Sequence, residues 1–338
     1  MNDERGTMND GISRGSSSFI VHRSSFAMTK PLIILAIVLL AILAIAISFG
    51  AVSLDDPAAR TILFRLRLPR VLLAAAIGAT LAVAGVTFQT LLRNPLADPF
   101  ILGVSGGAAA GAAIATALRW GRVPGLVPFV AFLGACGATA AVFLLARRRD
   151  HTDPTRLLLS GLVLNAFFSA IILIAFSLSR QADLTAALRW MMGNISAATW
   201  TDVAVVMVPF LLAMAVLAFV ANDLRLLAFG EEDAKGRGVD VERVKLIGFG
   251  TASIITGAAV AVSGIIGFVG LLVPHLIRLI WRRDFRFLLP LCALGGATLV
   301  VGADVLSRTL VTTAELPIGA FTALLGVPFF LSLLRRGR

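Results

Sequence analysis

Charged side chains are scarce in this sequence. They make up 14% of the 338 residues, whereas 58% are hydrophobic and the mean hydropathy is +0.92. A soluble domain is typically ~25% charged and ~45–50% apolar. A water-soluble core could not hide so much apolar surface. The composition therefore excludes an ordinary soluble protein and predicts an all-α, polytopic helical membrane protein.

A nucleotide-binding motif is also absent. No G-x-x-x-x-G-K-[ST] sequence occurs in the chain, so the loop that cradles phosphates in P-loop ATPases is missing. We therefore predict a transporter component rather than an enzyme. Either a separate subunit hydrolyses ATP, or an ion gradient supplies the energy.

Ionisable groups inside the apolar segments are few. Ion-coupled carriers need such groups, which are expensive in a bilayer and usually functional. The deep candidates are His275 and Asp304, and Asp304 has Arg308 four residues on, where a helical ion pair is expected. An ion-coupled secondary transporter is accordingly the disfavoured alternative.

The chain has only two cysteines, Cys136 and Cys292, and each lies inside an apolar segment. They lack the spacing of a metal site and are predicted to be small core residues. No cluster of His, Cys, Asp and Glu stands out either. We predict no metal, no cofactor and no catalytic residue in this chain.

The apolar residues fall into about ten blocks of the length that crosses a bilayer, which is ~20 residues. Gly264 and Gly267 are the only signs of a break in the longest block. The predicted spans are 31–49, 69–91, 100–118, 124–146, 157–178, 201–221, 246–263, 264–280, 287–303 and 316–334.

The positive charges indicate the orientation. Most of the 30 Lys and Arg residues fall in loops that lie on one side of the predicted spans, as expected of cytoplasmic loops. Both termini are thus predicted to be cytoplasmic, in the inner or plasma membrane. The same rule explains the net charge of +11 without nucleic-acid binding.

Residues 1–30 are polar and rich in Ser and Gly before Pro31. We expect a disordered cytoplasmic leader there, or an over-long start with Met28 as the true initiator. Residues 31–338 are predicted to form a single transmembrane domain.

Residues 103–107 read G-V-S-G-G and match the nucleophile elbow of hydrolases. That motif requires a strand, a turn and a helix around the serine. Ser105 instead opens an Ala-rich apolar segment, so a membrane-embedded hydrolase is disfavoured. We predict that Gly103, Gly107 and Gly111 allow close helix packing.

Two loops are unusual. The inner segment 222–246 has three acids after Gly230 followed by basic residues, which favours a short helix aligned with its dipole. It is either a solvated loop or a helix that docks on a partner. The outer segment before the second span carries Arg60, Arg65, Arg67 and Arg70, against the charge trend. These arginines either reach lipid headgroups or meet acidic groups of a soluble protein.

Several motifs, in this order, resemble those of the FecCD family of ABC-importer permeases. They run from about residue 31 to the C-terminus. They are LRLPR at 66–70, Gly78-Ala79, Gly85 with Gln89, RNPLADP at 93–99, LGVSGGA at 102–108, WMMG at 190–193, GFVGL at 267–271, PHLIR at 274–278, GAD at 302–304, and ELPIG at 315–319 with Gly326.

The resemblance implies a ten-helix permease of the type II ABC importers that carries an iron(III)-siderophore, cobalamin or haem-type chelate. It implies a homodimer around one path, two copies of a cytoplasmic ATPase that uses the ATP, and a substrate-binding protein on the outer face. The ATPase-coupling positions that it implies are Leu227, Gly230, Glu231, Glu232, Ala234, Gly238 and Val239. It further implies binding-protein docking by Arg67, Arg70 and Arg308, and a translocation gate at Thr155.

Overall fold

The computed structural model describes residues 17–48, 57–147, 152–281, 284–310 and 316–336. Within these ranges the chain is helical and has no β-strand. The helices are α1 (Ser17–Ser48), α2 (Pro57–Ile62), α3 (Leu68–Leu91), α4 (Val104–Ala117), α5 (Leu126–Ala146), α6 (Pro154–Ser177), α7 (Gln181–Met191), α8 (Trp200–Phe219), α9 (Ala221–Phe229), α10 (Glu231–Gly236), α11 (Val241–Ser263), α12 (Val269–Ile280), α13 (Phe285–Thr309) and α14 (Ile318–Arg336).

Seven of the described helices include stretches long and apolar enough to cross a membrane, and shorter apolar stretches lie in α4, α12 and α14. Together they correspond to the ten predicted spans, so the predicted fold class is confirmed. Helix α1 begins at Ser17, earlier than the predicted span at 31. Residues 1–16 of the predicted leader lie outside the described residues.

Helix α3 is the centre of the bundle. It is apolar on all sides and almost entirely buried, as expected of a helix surrounded by other helices. A side chain at Gly78 would overlap the carbonyl of Gly296 in α13, and one at Gly85 would overlap Gly270 in α12. The missing side chains let the backbones approach closely, which is how helices gain packing energy in lipid.

Helices α4 and α5 are paired in the same way. A Cβ at Gly107 would overlap the carbonyl of Gly134, and one at Gly111 would lie 2.5 Å from the carbonyl oxygen of Val130. The packing role predicted for these two glycines is confirmed. Gly103 differs, because it precedes α4 with φ +83° and an added Cβ would meet only ordinary contacts. Its backbone conformation favours glycine.

Two segments depart from the predicted spans. The span predicted at 100–118 is helical only from Val104, because residues 92–103 form a series of turns. Between α6 and α8, where only a loop was expected, lies the eleven-residue helix α7. Two residues after it, the carbonyl of Gly193 accepts a hydrogen bond from the amide of Ile318, and the amide of Asn194 donates to the carbonyl of Ser263.

The division between the seventh and eighth spans falls where glycine predicted it. Helix α11 ends at Ser263, and Gly264 has φ +72°. A side chain at Gly264 would also overlap the carbonyl of Trp190. Backbone conformation and lack of space both require glycine here.

Most side chains of helices α6 and α14 lie outside the buried core. Apolar side chains such as Leu162, Val163, Leu173 and Leu324 lie largely outside the packed core. In a membrane these faces must contact lipid or another protein.

Candidate coupling site

Helices α9 and α10 form a small bent element at one end of the bundle. Gly230 separates them with φ +151° and ψ +150°, a combination that residues with a Cβ avoid. Gly238 follows α10 with φ +81°. The short helix predicted near Gly230 is therefore present as α10, and glycines bound it on both sides.

This element has two distinct faces. Leu227 and Ala234 are fully buried against the bundle, so they position the element rather than contact anything outside the chain. The other face is exposed: Glu232 has 92% of its side chain accessible, and Phe229 is 72% exposed. An exposed aromatic side chain is a typical anchor of protein interfaces, and sequence reasoning missed Phe229.

Glu231, the first residue of α10, points into the chain, unlike Glu232. Its carboxylate lies 2.8 Å from the ammonium of Lys245 in α11 and 3.9 Å from the guanidinium of Arg93. Lys245 also contacts Glu242 and donates to the backbone carbonyl of Thr152, at 3.1 Å and 2.8 Å. We call Arg93, Thr152, Glu231, Glu242 and Lys245 the Lys245 cluster.

The Lys245 cluster reaches the start of α6. Thr152 donates from its hydroxyl and from its amide to the Glu242 carboxylate, at 2.6 Å and 3.1 Å. Asp153 then caps α6 by accepting from the amide of Thr155 at 2.9 Å, a common N-cap arrangement. Thr155, the predicted gate residue, lies exposed in the first turn of α6, and its role stays a prediction.

The opposite end of the bundle contains a second buried charged group. Because α3 is 24 residues long, its two ends lie ~36 Å apart at ~1.5 Å per residue. Asp304 in α13 is fully buried, and its carboxylate lies 2.9 Å from Arg70 and 3.1 Å from Arg308. The predicted pair with Arg308 is confirmed, whereas the pair with Arg70 was missed. We call these three residues the Asp304 cluster.

Arg308 of this cluster and the nearby Arg67 hold the end of α1. Arg67 donates to the carbonyl of Ile47 and Arg308 donates to that of Ala46, both at 3.2 Å. Carbonyls in the last turn of a helix lack helical partners, and basic side chains can satisfy them. Arg67, Arg70 and Arg308 thus have contacts within the chain, while Arg60 and Arg65 are exposed.

An apolar cavity of about 660 Å³ lies between the end of α7, the α11–α12 turn and the start of α14. Met191, Met192 and Phe268 line it together with Pro317 and Gly319. The cavity was not predicted, because it depends on the unpredicted helix α7 and on turns that bring distant segments together.

Neither Ser105 nor His275 has the surroundings that the two disfavoured functions, a membrane-embedded hydrolase and an ion-coupled transporter, would require. Residues 99–103 before Ser105 are turns rather than a strand, so the nucleophile-elbow context is missing there. The ring of His275 packs edge-on against Phe329 and Phe330. Among the described residues, no three His, Cys, Asp or Glu side chains are grouped as a metal site would require.

A bundle of about ten apolar helices around a glycine-packed central helix, with a short amphipathic element at one end, is the architecture of a membrane transport permease. The chain belongs to the FecCD transport family, whose family model matches residues 31–336. The family resemblance inferred from the motifs is confirmed.

Two curated relatives illustrate the similarity. The cobalamin import system permease protein BtuC of Halobacterium salinarum is 43% identical over 82% of this chain and 74% of its own length. The hemin transport system permease protein HmuU of Yersinia pestis is 41% identical over 89% of this chain and 94% of its own length.

A solved structure has the same architecture. It is described as an inward-facing conformation of a metal-chelate-type ABC transporter, and its chain is 32% identical to this one. The TM-score is 0.83, and the match covers 91% of this chain and 99% of the other. The prediction of an ABC-importer permease is thereby confirmed.

Proposed function

We propose that this chain forms the membrane path through which an ABC importer moves an iron-siderophore, cobalamin or haem-type metal chelate. The observation that carries the proposal is the element α9–Gly230–α10. It combines buried anchors with an exposed face, and it contacts the segment that leads into α6. The chain would have no cofactor of its own, and the partner subunit would bind and hydrolyse the ATP.

The exposed face of α9 and α10 would bind the ATPase on the cytoplasmic side. Phe229 offers an aromatic anchor, and α10 and the residue after it add exposed charges of both signs, at Glu232, Asp233, Lys235 and Arg237. Such a mixture suits a specific protein interface, because charge complementarity fixes the register of docking. The glycines at 230 and 238 would keep the element short and bent.

Two copies of the chain would enclose the path, each bound to one ATPase. Helices α6 and α14 present apolar side chains that are unpacked within one copy, and the start of α14 lines the apolar cavity. If a second copy bound to these faces, α1 and α8 would face the lipid. Both termini would be cytoplasmic, in the inner or plasma membrane.

The Asp304 end would receive a substrate-binding protein. Arg67, Arg70 and Arg308 are the proposed docking residues, and the exposed side chains of Arg60 and Arg65 extend the positive surface. Because Arg70 and Arg308 also hold Asp304, their replacement would disturb packing as well as docking. Variants of Arg65 separate the two effects better.

The test is uptake by a reconstituted complex of this chain with its ATPase and binding protein. Ferric siderophore, cobalamin and haem are offered in turn with ATP inside or outside the vesicles. We expect accumulation of one chelate class only when ATP is on the ATPase side. Failure of the ATPase to co-purify with this chain, or absence of ATP-dependent uptake of any chelate, would contradict the proposal.

A further inference from the structure

Lys245 is a buried cation at a junction of separate segments. Only 4% of the residue is exposed, although lysine is almost never buried unless it is paired. The side chain has three N–H donors, and three acceptors surround it: Glu231, Glu242 and the carbonyl of Thr152. Each donor can therefore be satisfied at the same time.

The three acceptors come from three parts of the chain. Glu231 belongs to α10, Glu242 to the first turn of α11, and Thr152 to the connection between α5 and α6. A buried charged group is stable only while its partners stay in place. Moving α10 away from Thr152 would leave either the ammonium or a carboxylate without its partner. The cluster therefore opposes relative movement of α10 and the start of α6.

Thr152 lies two residues before the start of α6. Thr152 is held by Glu242 through two hydrogen bonds and by Lys245 through a third. Asp153, the next residue, caps α6 and bonds to the amide of Thr155. A displacement of α10 would thus reach the first turn of α6 without passing through a flexible segment.

We propose that Lys245 is a positioning residue for transport, and that it makes α10 and the start of α6 move as one unit. This inference rests on the proposed docking of the ATPase to α10. Arg93 adds a weaker contact to Glu231 at 3.9 Å, from a more exposed position. Lys245, which contacts all three acceptors, would carry most of the mechanical connection.

The first test compares Lys245→Met with Lys245→Arg in the full complex with ATPase and binding protein. The measured quantity is the number of chelate molecules transported per ATP hydrolysed. We expect Lys245→Met to retain ATPase binding and basal hydrolysis but to lower that ratio about tenfold or more. Lys245→Arg should restore part of it, because arginine keeps the charge and several donors.

The matched control is Arg286→Met. Arg286 is an exposed cation in the first turn of α13, outside the Lys245 cluster, and the same change of charge there should leave the ratio unaltered. A purely structural role for Lys245 would lower the yield of folded complex without changing the ratio. An unchanged number of chelate molecules transported per ATP in Lys245→Met would therefore overturn the inference. The proposed function would still stand if the wild-type chain binds the ATPase.

The second test needs no variant of Lys245. Spin labels are attached at Gly236→Cys and Arg156→Cys after Cys136 and Cys292 have been replaced by alanine. An added Cβ at Gly236 meets no atom within 4 Å, and the Arg156 side chain is 44% exposed. In the full complex, the distance between the labels should stay constant while nucleotide binds and is hydrolysed. A distance that changes during the cycle would overturn the inference.

Discussion

Each end of the bundle contains a buried charged side chain that contacts groups of opposite charge, and the two buried charges differ in sign. At one end the buried cation Lys245 is surrounded by acceptors, and at the other the buried anion Asp304 is held by two arginines. The Asp304 cluster joins α3 and α13, which pack along their length through Gly78 and Gly296. The Lys245 cluster joins α10, the first turn of α11 and Thr152, which precedes α6, through polar contacts.

The difference suggests distinct roles for the two clusters. Loss of contacts at Asp304 should weaken the whole bundle, because the carboxylate is completely enclosed by helices of the core. Loss of contacts at Lys245 should leave the bundle folded and disturb how its surface element moves. The comparison can be tested by measuring stability and transport separately in variants with substitutions at each end.

The largest effect is expected for Asp304→Asn. The substitution removes a buried negative charge and leaves Arg70 and Arg308 facing a neutral amide. Breaking a buried ion pair typically costs about 3–5 kcal/mol. We expect the free energy of unfolding in detergent to fall by about this amount, measured by denaturant titration.

The control for this experiment is Asp284→Asn. Its carboxylate is half-exposed and lies 3.5 Å from Arg225, and such surface pairs contribute about 0–1 kcal/mol. Equal losses of stability in the two variants would remove the distinction between the Asp304 cluster and a surface ion pair.

A smaller effect is expected for Phe229→Ala at the Lys245 end. The ring is 72% exposed beside α10, and loss of an aromatic anchor at an interface typically costs about 2 kcal/mol. The affinity of the ATPase should fall roughly tenfold or more, measured by binding to the detergent-solubilised chain, with no change in stability.

Phe219→Ala is the matched variant for this prediction. Phe219 ends α8 and is 90% exposed, but it lies outside the bent element. We expect its replacement to leave ATPase binding unaltered. If Phe219→Ala weakened binding as much as Phe229→Ala, the interface would not be confined to α9 and α10.

The smallest effect is expected for Arg65→Glu at the Asp304 end. Reversal of an exposed charge should slow association of the binding protein a few-fold at low salt, because long-range attraction steers the encounter. The effect should fade near 1 M salt, where charges are screened beyond ~3 Å. Arg65→Lys should behave as wild type, and a salt-independent loss in Arg65→Glu would argue against electrostatic docking.

The fold was largely predictable, because each span is an apolar block whose length reflects the bilayer. Helix α7 was missed because it is not such a block. It has only eleven residues and includes Asp183 and Arg189, so its hydropathy does not distinguish it from a loop. The turns at 92–103 were partly missed, because an apolar run looks the same whether it is helical or turning. The sequence marked the break at Gly264 because only glycine suits that position.

The two clusters were much harder to predict. Arg70 and Asp304 are 234 residues apart, and Lys245 and Thr152 are 93 apart. These pairings depend on the fold, which brings distant residues together. Only the pair Asp304–Arg308 was predicted, because residues four apart share one face of a helix.

The most direct measurement concerns the source of energy. Vesicles containing this chain alone are given the cognate chelate and an imposed proton or sodium gradient, and matched vesicles contain the complex with ATPase, binding protein and ATP. We expect accumulation only in the second set, and we expect it to persist when the gradients are collapsed. Accumulation by the chain alone would contradict a passive path that is driven through α10 by a separate subunit.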